Sequence, residues 1–245
     1  MILFAHRGAS GEFPENSLLA FEQAIEQGAD AIELDVQFHL PSQKLIVIHD
    51  HFVDKTTPQQ GHINHFSLTE LSQMPLGKGQ YLLSLTQALS AISGRVLVNV
   101  ELKTTPQNIQ QSRNLVSALD TELKQAICQF NYKPEQLIIS AFDHQLLVDC
   151  YRQMPAFNYA ALIAHNPIDN GLSLLDERFF AINLAIDCLS PQLVSRLKAA
   201  HKKVFVYTVD KQEDIKQCWS LSVDGIFTNF PKISRNIIER IASPK

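Results

Sequence analysis

Acidic and basic side chains recur in this sequence at a spacing of two residues. Glu33 and Asp35 stand two apart in an otherwise apolar run. Glu101 and Lys103 repeat that spacing later in the chain. Side chains two positions apart project from one face of a β-strand, and three converging carboxylates repel one another unless a cation lies among them. An all-oxygen ligand set favours Mg²⁺, Ca²⁺ or Mn²⁺ over zinc, so Glu33, Asp35 and Glu101 are expected to bind one divalent cation. The alternative interpretation is that these charged side chains form a pair of surface salt bridges. Salt bridges alone would not require the two-residue spacing to occur twice.

Two histidines lie beside charged neighbours and could exchange protons with a substrate. His6 precedes Arg7, and His49 precedes Asp50. Imidazoles on either side of a carboxylate-bound metal are suited to acid and base catalysis of phosphoryl transfer. The planar guanidinium of Arg7 and the compact ammonium of Lys103 are suited to the oxygens of one phosphodiester. We therefore expect His6 and His49 to be the acid and the base, with either able to take either role.

The elements that must position these side chains are short β-branched runs that alternate with helix-patterned stretches. The predicted strands are 2–5, 31–36, 96–102, 137–141, 159–164, 182–186, 204–209 and 224–228. Predicted helices include 18–27, one from residue 106 towards 126, and one from residue 191 towards 200. Eight parallel strands with outer helices close into a (β/α)8 TIM barrel, an α/β fold of about 250 residues, and this chain has 245. The mouth of such a barrel lies at the C-terminal ends of its strands, where all four motifs fall.

An extra strand at 44–48 follows the second barrel strand after only the seven residues 37–43. A parallel crossover needs about a dozen residues, so this strand is predicted to fold back as an antiparallel hairpin. A register symmetric about residue 41 would place Glu33 opposite His49. The long segment that follows is predicted as an insertion at about 51–85, within a single domain spanning 1–245, and segments of this length often form lids or binding walls.

Composition excludes several classes of protein. Apolar residues make up 45% of the chain and charged residues 19%, which is typical of a globular protein with a full core. The net charge of −4 gives no reason to expect nucleic acid as a partner, and no apolar stretch is long enough to span a membrane. The N-terminus lacks the pattern of a signal peptide, so a cytoplasmic location is expected. The four cysteines show no CxxC spacing, which argues against a zinc site or a disulfide framework.

The motifs, taken in order, resemble those of the glycerophosphodiester phosphodiesterase family. The similarity runs from residue 5 to residue 231 and rests on His6-Arg7-Gly8, Pro14-Glu15-Asn16-Ser17, Glu33-x-Asp35, His49-Asp50, Thr56-Thr57, Glu101-x-Lys103, Val206-Tyr207-Thr208-Val209 and the run from Asp224 to Pro231.

The resemblance implies a barrel enzyme that hydrolyses glycerophosphodiesters, such as glycerophosphocholine or glycerophosphoethanolamine, to sn-glycerol 3-phosphate and an alcohol. It also gives each motif a role at its position here: acid and base for His6 and His49, ligands of one Mg²⁺, Ca²⁺ or Mn²⁺ ion for Glu33, Asp35 and Glu101, and phosphate binding for Arg7 and Lys103. The residues leave open whether the attacking group is water or the substrate's own glycerol hydroxyl. They also leave open the alcohol and the oligomeric state.

Four positions depart from the family pattern. Lys55 stands where Arg is usual, Ser84-Leu85 replaces a Pro-Thr-Leu stretch, Tyr207 replaces a common Trp, and Asn229 replaces a common Asp. All four are expected to lie outside the acid, base and metal sets and to affect substrate preference. Tyr207 is expected to line the pocket for the alcohol or the glycerol.

Three alternative functions compete with this interpretation. His49-x-His51 resembles the paired metal histidines of amidohydrolases, with His144, His165 and Asp210 at later strand ends, but that pair belongs after the first barrel strand. A lysophospholipase D-like enzyme would act on a lipid and would need an apolar patch near the mouth, for which the insertion offers Phe52, Phe66, Tyr81 and Leu82. A non-catalytic binding barrel would have no physical reason to keep three converging carboxylates.

Overall fold

The computed structural model describes residues 1–104, 109–165 and 171–243. Its strands are β1 (Ile2–His6), β2 (Ala31–His39), β3 (Lys44–Val47), β4 (Pro75–Gly77), β5 (Gln80–Tyr81), β6 (Leu83–Ser84), β7 (Leu97–Lys103), β8 (Leu137–Ala141), β9 (Asn158–Ile163), β10 (Ala181–Ala185), β11 (Lys203–Tyr207) and β12 (Gly225–Thr228). Its helices are α1 (Leu18–Glu26), α2 (Leu68–Ser72), α3 (Leu85–Ile92), α4 (Ile109–Gln129), α5 (His144–Gln153), α6 (Pro191–Ala199), α7 (Gln212–Ser220) and α8 (Pro231–Ala242). Within these described ranges, no helix combines the length and the apolar character needed to cross a membrane.

Eight of the strands form a closed parallel barrel. Their order is β1, β12, β11, β10, β9, β8, β7 and β2, and β2 pairs with β1 to complete the ring. The predicted (β/α)8 barrel is therefore confirmed. The strand β2 runs three residues beyond its predicted end because β3 pairs with that extension. The expected start of a helix near residue 106 lies outside the described residues.

Alternation along the strands divides their side chains between two apolar layers. One set, which includes Leu3 and Ile32, packs with helix residues in the largest apolar cluster. The other set fills the base of the barrel, where Phe4 lies 4.5 Å from Phe227 and 4.9 Å from Phe205 between ring centroids. Side chains alternate between the two faces of a strand, so further residues of this second set point into the barrel closer to the C-terminal ends of the strands. These inward residues are polar, and they form the candidate active site at the mouth of the barrel.

The strand β3 pairs with β2 as an antiparallel hairpin, as predicted, but the predicted register is wrong. Val36 pairs with Val47 and His39 with Lys44, so paired numbers sum to 83 rather than 82. The connecting loop has four residues, 40–43. Because this number is even, the midpoint of the hairpin falls between two residues instead of on residue 41. The ladder ends before it reaches Glu33, which therefore has no partner on the hairpin.

The segment after β3 folds against the outer face of the hairpin. It contains two 3₁₀ turns, Val53–Lys55 and Ile63–His65, followed by α2 and the small β4–β5 ribbon. A separate apolar cluster joins this segment to the hairpin, with Ile46, Ile48, Val53, Ile63, Leu71, Met74 and Leu82 as its buried members. Its return strand β6 pairs with β3, which brings the chain back to the barrel.

One buried carboxylate connects three of these elements. Glu122 of α4 is 2% exposed and accepts hydrogen bonds from the backbone of Leu45 at 3.2 Å and of Thr86 at 2.9 Å. The hydroxyl of Thr86 donates a further bond of 2.8 Å. Glu122 therefore fixes the start of α3 and the strand β3 against α4, since these donors need a partner once they are buried.

The Glu122→Ala variant is expected to lose about 1–3 kcal/mol in free energy of unfolding, because buried donors lose their acceptor. Urea unfolding followed by far-ultraviolet circular dichroism measures this loss. Lys124→Ala on the same helix removes an exposed ion pair with Asp120 and is the control, with an expected change within about 0.5 kcal/mol. Equal losses in both variants would contradict the role assigned to Glu122.

Candidate active site

Three carboxylates meet inside the mouth of the barrel. Glu33 and Asp35 project inward from β2, and Glu101 projects inward from β7, where it is the direct neighbour of Asp35 in the parallel register. The residues are 2%, 0% and 6% exposed, in that order. One oxygen from each lies within 4.8 Å of the others. The period of two in both strands is what brings these groups together.

Two cations lie against this acidic cluster. Arg7, directly after β1, places Nε 3.2 Å from Asp35 Oδ2, and Lys103 places Nζ 3.0 Å from Asp35 Oδ1. Lys103 also pairs with Glu101, and the backbone N–H of Arg7 donates to Glu33 Oε2 at 2.8 Å. Arg7 adopts a φ of 56°, a left-handed conformation that is uncommon outside glycine. Two positive charges therefore face three carboxylates, and Arg7 is shared further with Glu15 at 3.1 Å.

The carboxylates differ in pKa because their neighbours differ. Burial alone would raise the pKa of Asp35, yet Lys103 and Arg7 together lower it below its usual range. Burial and the nearby charge of Asp35 raise the pKa of Glu33 well above its usual value. The same two causes raise the pKa of Glu101 to about 6. Asp35 is thus the carboxylate whose charge the surrounding residues stabilise most.

The donor set fits a divalent cation. All three side chains offer oxygen, which suits a hard ion such as Mg²⁺, Ca²⁺ or Mn²⁺. Glu33 Oε1 is buried and has no hydrogen-bond partner within the part of the chain that the structure describes. Asn16 fixes Asp35 from the side, donating from Nδ2 at 3.0 Å and accepting the Asp35 backbone N–H at 3.3 Å. The cluster therefore combines fixed ligands with an oxygen that needs a positive partner.

His6 is oriented by a chain of hydrogen bonds from the far end of the sequence. Its Nδ1 lies 2.8 Å from Asn229 Oδ1, and Asn229 Nδ2 donates to Asp210 Oδ2 at 2.6 Å. Because the carboxylate of Asp210 can only accept, the amide orientation of Asn229 is fixed and its Oδ1 must accept from His6. His6 therefore carries its hydrogen on Nδ1 and keeps an acceptor at Nε2.

Burial and the nearby charge of Arg7 lower the pKa of His6 to about 4. The ring is accordingly neutral at pH 7. His49, which follows β3, is more exposed, and burial also lowers its pKa. Its Nδ1 lies 3.3 Å from Asp50, whose carboxylate is held in turn by Lys55 at 3.0 Å. The two histidines thus have partners of opposite character, an amide and a carboxylate.

Tyr207 lies at the site but its hydroxyl is already engaged. It donates to the backbone oxygen of Ile163 at 2.8 Å, and burial raises the pKa of its phenol. The residue lines a small cavity with seven others: His6, Glu33, Asn99, Glu101, Leu162, Asn183 and Phe227. The structure therefore offers the ring of Tyr207, rather than its hydroxyl, to the interior of the mouth.

The sequence interpretation missed several residues of this site. Asn229 is expected from the sequence to lie outside the acid and base set and to affect substrate preference, and the structure adds a direct contact with His6 that this expectation does not include. Asp210 was considered only as a metal ligand of an alternative enzyme, and the inward asparagines Asn99 and Asn183 were not considered. Alternation with the apolar outward residues Ile182 and Leu184 could have identified Asn183, whereas the contact between Asn229 and His6 spans 223 positions and has no local signal.

The structure also bears on the alternative functions. Among the described residues, the cluster of Glu33, Asp35 and Glu101 is the one group that could hold a metal through three side chains, and it contains no histidine. His144, assigned to the amidohydrolase alternative, instead bonds the backbone oxygen of Leu162 at 2.9 Å. Of the four residues named for a lipid-binding patch, Phe52 and Tyr81 are exposed but Leu82 is buried.

Comparison with known proteins shows which family the chain is similar to. The family model for the glycerophosphoryl diester phosphodiesterase family matches residues 6–233. A glycerophosphodiester phosphodiesterase of Caldanaerobacter subterraneus subsp. tengcongensis is 31% identical over 98% of both chains, and one of Bacillus altitudinis is 30% identical over 98% of both. A phosphodiesterase of Oleispira antarctica, solved with the product sn-glycerol-3-phosphate, is 24% identical with a TM-score of 0.88, over 98% of this chain and 97% of that one.

The Asn229→Leu variant is expected to change the tautomer of His6, because it removes the acceptor that holds the hydrogen on Nδ1. Nitrogen-15 NMR of the imidazoles at pH 7 measures this, with the His6 signal identified by its loss in His6→Gln. We expect a neutral Nδ1–H ring in the wild-type protein and a tautomer mixture in Asn229→Leu. Asn158→Leu makes the same change at an asparagine that bonds the backbone of Glu135 and is the control. A wild-type ring with hydrogen on Nε2 would contradict the assignment.

Proposed function

The chain belongs to the glycerophosphoryl diester phosphodiesterase family, and we propose that it hydrolyses glycerophosphodiesters to sn-glycerol 3-phosphate and an alcohol with the help of a divalent cation. The resemblance seen in the sequence motifs is confirmed by this membership. The observation that carries the proposed reaction is the buried cluster of Glu33, Asp35 and Glu101 beside Arg7 and Lys103. The product bound in the Oleispira antarctica relative supports the same product here.

The three carboxylates would hold one Mg²⁺, Ca²⁺ or Mn²⁺ ion. When bound, such an ion supplies Lewis-acid stabilisation of charge on a phosphoryl oxygen. Asn16 keeps Asp35 in place through two hydrogen bonds, so one ligand is oriented before any ion arrives. The backbone of Arg7 does the same for Glu33.

Arg7 and Lys103 would bind the non-bridging oxygens of the phosphodiester. The ammonium of Lys103 has three donors and contacts two carboxylates, Asp35 and Glu101, which leaves one donor for a phosphate oxygen. The guanidinium of Arg7 lies 3.2 Å from Asp35 at Nε and donates from Nη1 to Glu15 at 3.1 Å, so its planar fork has a set direction. Buried charge held in this way stabilises the developing charge of a transition state without reorganisation.

His6 would be the base and His49 the acid. The neutral ring of His6 keeps its lone pair on Nε2, which can accept the proton of the attacking hydroxyl. Asp50 orients the ring of His49 and opposes the lowering of its pKa by burial, so the imidazolium that would donate a proton to the leaving alkoxide forms more readily than it would without this carboxylate. Each proton transfer contributes about 10²- to 10⁴-fold to the rate.

The insertion at about 51–85 would form one wall of the substrate site. Phe52 is exposed and its ring lies edge-on to His62 at 5.4 Å between centroids, while His51 stacks on His62 at 5.9 Å. The ring of Tyr207 would supply the opposite apolar contact to the glycerol or the alcohol. Aromatic surface of this kind accepts alcohols of different shape, which supports a small-molecule substrate.

Purified protein is expected to release sn-glycerol 3-phosphate from glycerophosphocholine, to lose this activity with EDTA, and to regain it with Mg²⁺, Ca²⁺ or Mn²⁺. Enzymatic detection of sn-glycerol 3-phosphate measures the release. Glu33→Gln is expected to need a higher ion concentration for half-maximal activity, because it removes a ligand charge. Full activity in EDTA would contradict the proposed metal dependence. Absence of hydrolysis with several glycerophosphodiesters and every ion would contradict the proposed reaction.

The His6→Ala and His49→Ala variants are each expected to lower kcat by about 10²- to 10⁴-fold while leaving the far-ultraviolet circular dichroism spectrum unchanged. His201→Ala, a substitution at an exposed loop histidine, is the control and should keep wild-type kcat. Retention of most activity in either active-site variant would refute the role of that histidine.

A further inference from the structure

Two asparagines lie inside the barrel, above the apolar base and beside the carboxylate cluster. Asn99 on β7 lies two residues before Glu101, and it pairs in the parallel register with Glu33 of β2. Asn183 lies on β10, two residues beyond Ala181, which belongs to the apolar base. Asn99 is 1% exposed and Asn183 is 0% exposed. Two amide groups are thus buried beside the proposed catalytic groups.

These amides have polar atoms without partners. Asn99 Nδ2 donates to the hydroxyl of Ser140 at 2.8 Å, which leaves its Oδ1 unpaired among the described residues. Neither Nδ2 nor Oδ1 of Asn183 has a hydrogen-bond partner in the described ranges 1–104, 109–165 and 171–243. A buried polar atom without a partner is destabilising, so three such atoms beside one cavity indicate a missing ligand.

The space next to these atoms is small and well defined. Asn99 and Asn183 both line the cavity that also touches His6, Glu101 and Tyr207. Its volume is about 20 Å³, and a cavity needs about 10–15 Å³ to hold one water. The cavity therefore takes one oxygen-sized group, and it opens towards the site of the proposed reaction.

The donors and acceptors select the chemistry of that group. The amide of Asn183 offers two N–H donors and one acceptor oxygen, and Asn99 adds a second acceptor oxygen. A hydroxyl both accepts and donates, so it pairs with both kinds of atom. A phosphate oxygen only accepts and would face two amide oxygens, and a quaternary ammonium offers no N–H and is too large for the cavity.

We propose that Asn183 and Asn99 form a binding site for a single hydroxyl group, supplied either by the glycerol part of the substrate or by an ordered water. The first source rests on the proposed function, because it requires a glycerol-bearing substrate. It would make Asn183 a residue that determines specificity for glycerophosphodiesters over other phosphodiesters. A site built to bond a hydroxyl discriminates strongly against a substrate that lacks one.

The Asn183→Leu variant tests the site, since it keeps the size of the side chain and removes both polar atoms. Asn158→Leu is the matched control, because it makes the same change at the start of the neighbouring strand β9, where Asn158 bonds the backbone of Glu135. Kinetics are measured with glycerophosphocholine and with bis(4-nitrophenyl) phosphate, a phosphodiester without an aliphatic hydroxyl. A crystal structure of the wild-type protein, without substrate, reports any ordered solvent at Asn183.

A substrate hydroxyl predicts that Asn183→Leu raises KM for glycerophosphocholine about tenfold or more and changes bis(4-nitrophenyl) phosphate less than about twofold. An ordered water predicts a solvent peak within hydrogen-bond distance of Asn183 and equal effects on both substrates. The proposal is overturned if the solvent peak is missing and the two substrates respond alike. The proposal can be overturned in the same way if Asn183→Leu fails to fold. The wild-type crystal structure then reports the solvent peak, and the milder variant Asn183→Ser reports the effects on the two substrates.

Failure of the proposed function gives a different result. In that case the wild-type protein hydrolyses no glycerophosphodiester with any ion, whereas the solvent peak at Asn183 in the crystal structure still reports the hydroxyl site.

Discussion

The burial of three carboxylates at one end of the barrel is the constraint on which the rest of the site depends. A carboxylate removed from water is costly unless charges and hydrogen bonds compensate it. Asp35, fully buried, has compensation on three sides, from Arg7, Lys103 and Asn16. Glu33 has less and keeps one oxygen unpaired among the described residues. The surrounding charges and hydrogen bonds therefore compensate the cluster in part, and its donor set could hold a further cation.

The layered interior of the barrel supports the burial of the three carboxylates. Rings of Phe4, Phe205 and Phe227 close the base, so solvent cannot reach the carboxylates from below. Exclusion of water strengthens each electrostatic interaction above this base. Asn99 and Asn183 lie beside the cluster and add neutral polar groups between the apolar base and the charged side chains. A barrel that places side chains in layers thus separates stability at one end from chemistry at the other.

The two histidines show how similar side chains acquire different roles from their surroundings. His6 lies deep beside a neutral amide, whereas His49 is more exposed and lies beside Asp50. Burial lowers the pKa of both rings, and at His49 the carboxylate of Asp50 opposes this effect. Closure of the barrel between β1 and β12 brings Asn229 to His6 across 223 positions, so the orientation of one proposed catalytic group depends on the last barrel strand.

The sequence by itself determined the eight barrel strands and the pairing of Glu33 with Asp35 on one face, because alternation along a strand is a local property. The tertiary structure alone decided the hairpin register, since an even loop of four residues shifted it by one position. It alone also joined Asn229 to His6 and placed Asn183 beside the carboxylates. Such contacts depend on which strands meet in the closed ring and at what register, and no spacing along one segment encodes this.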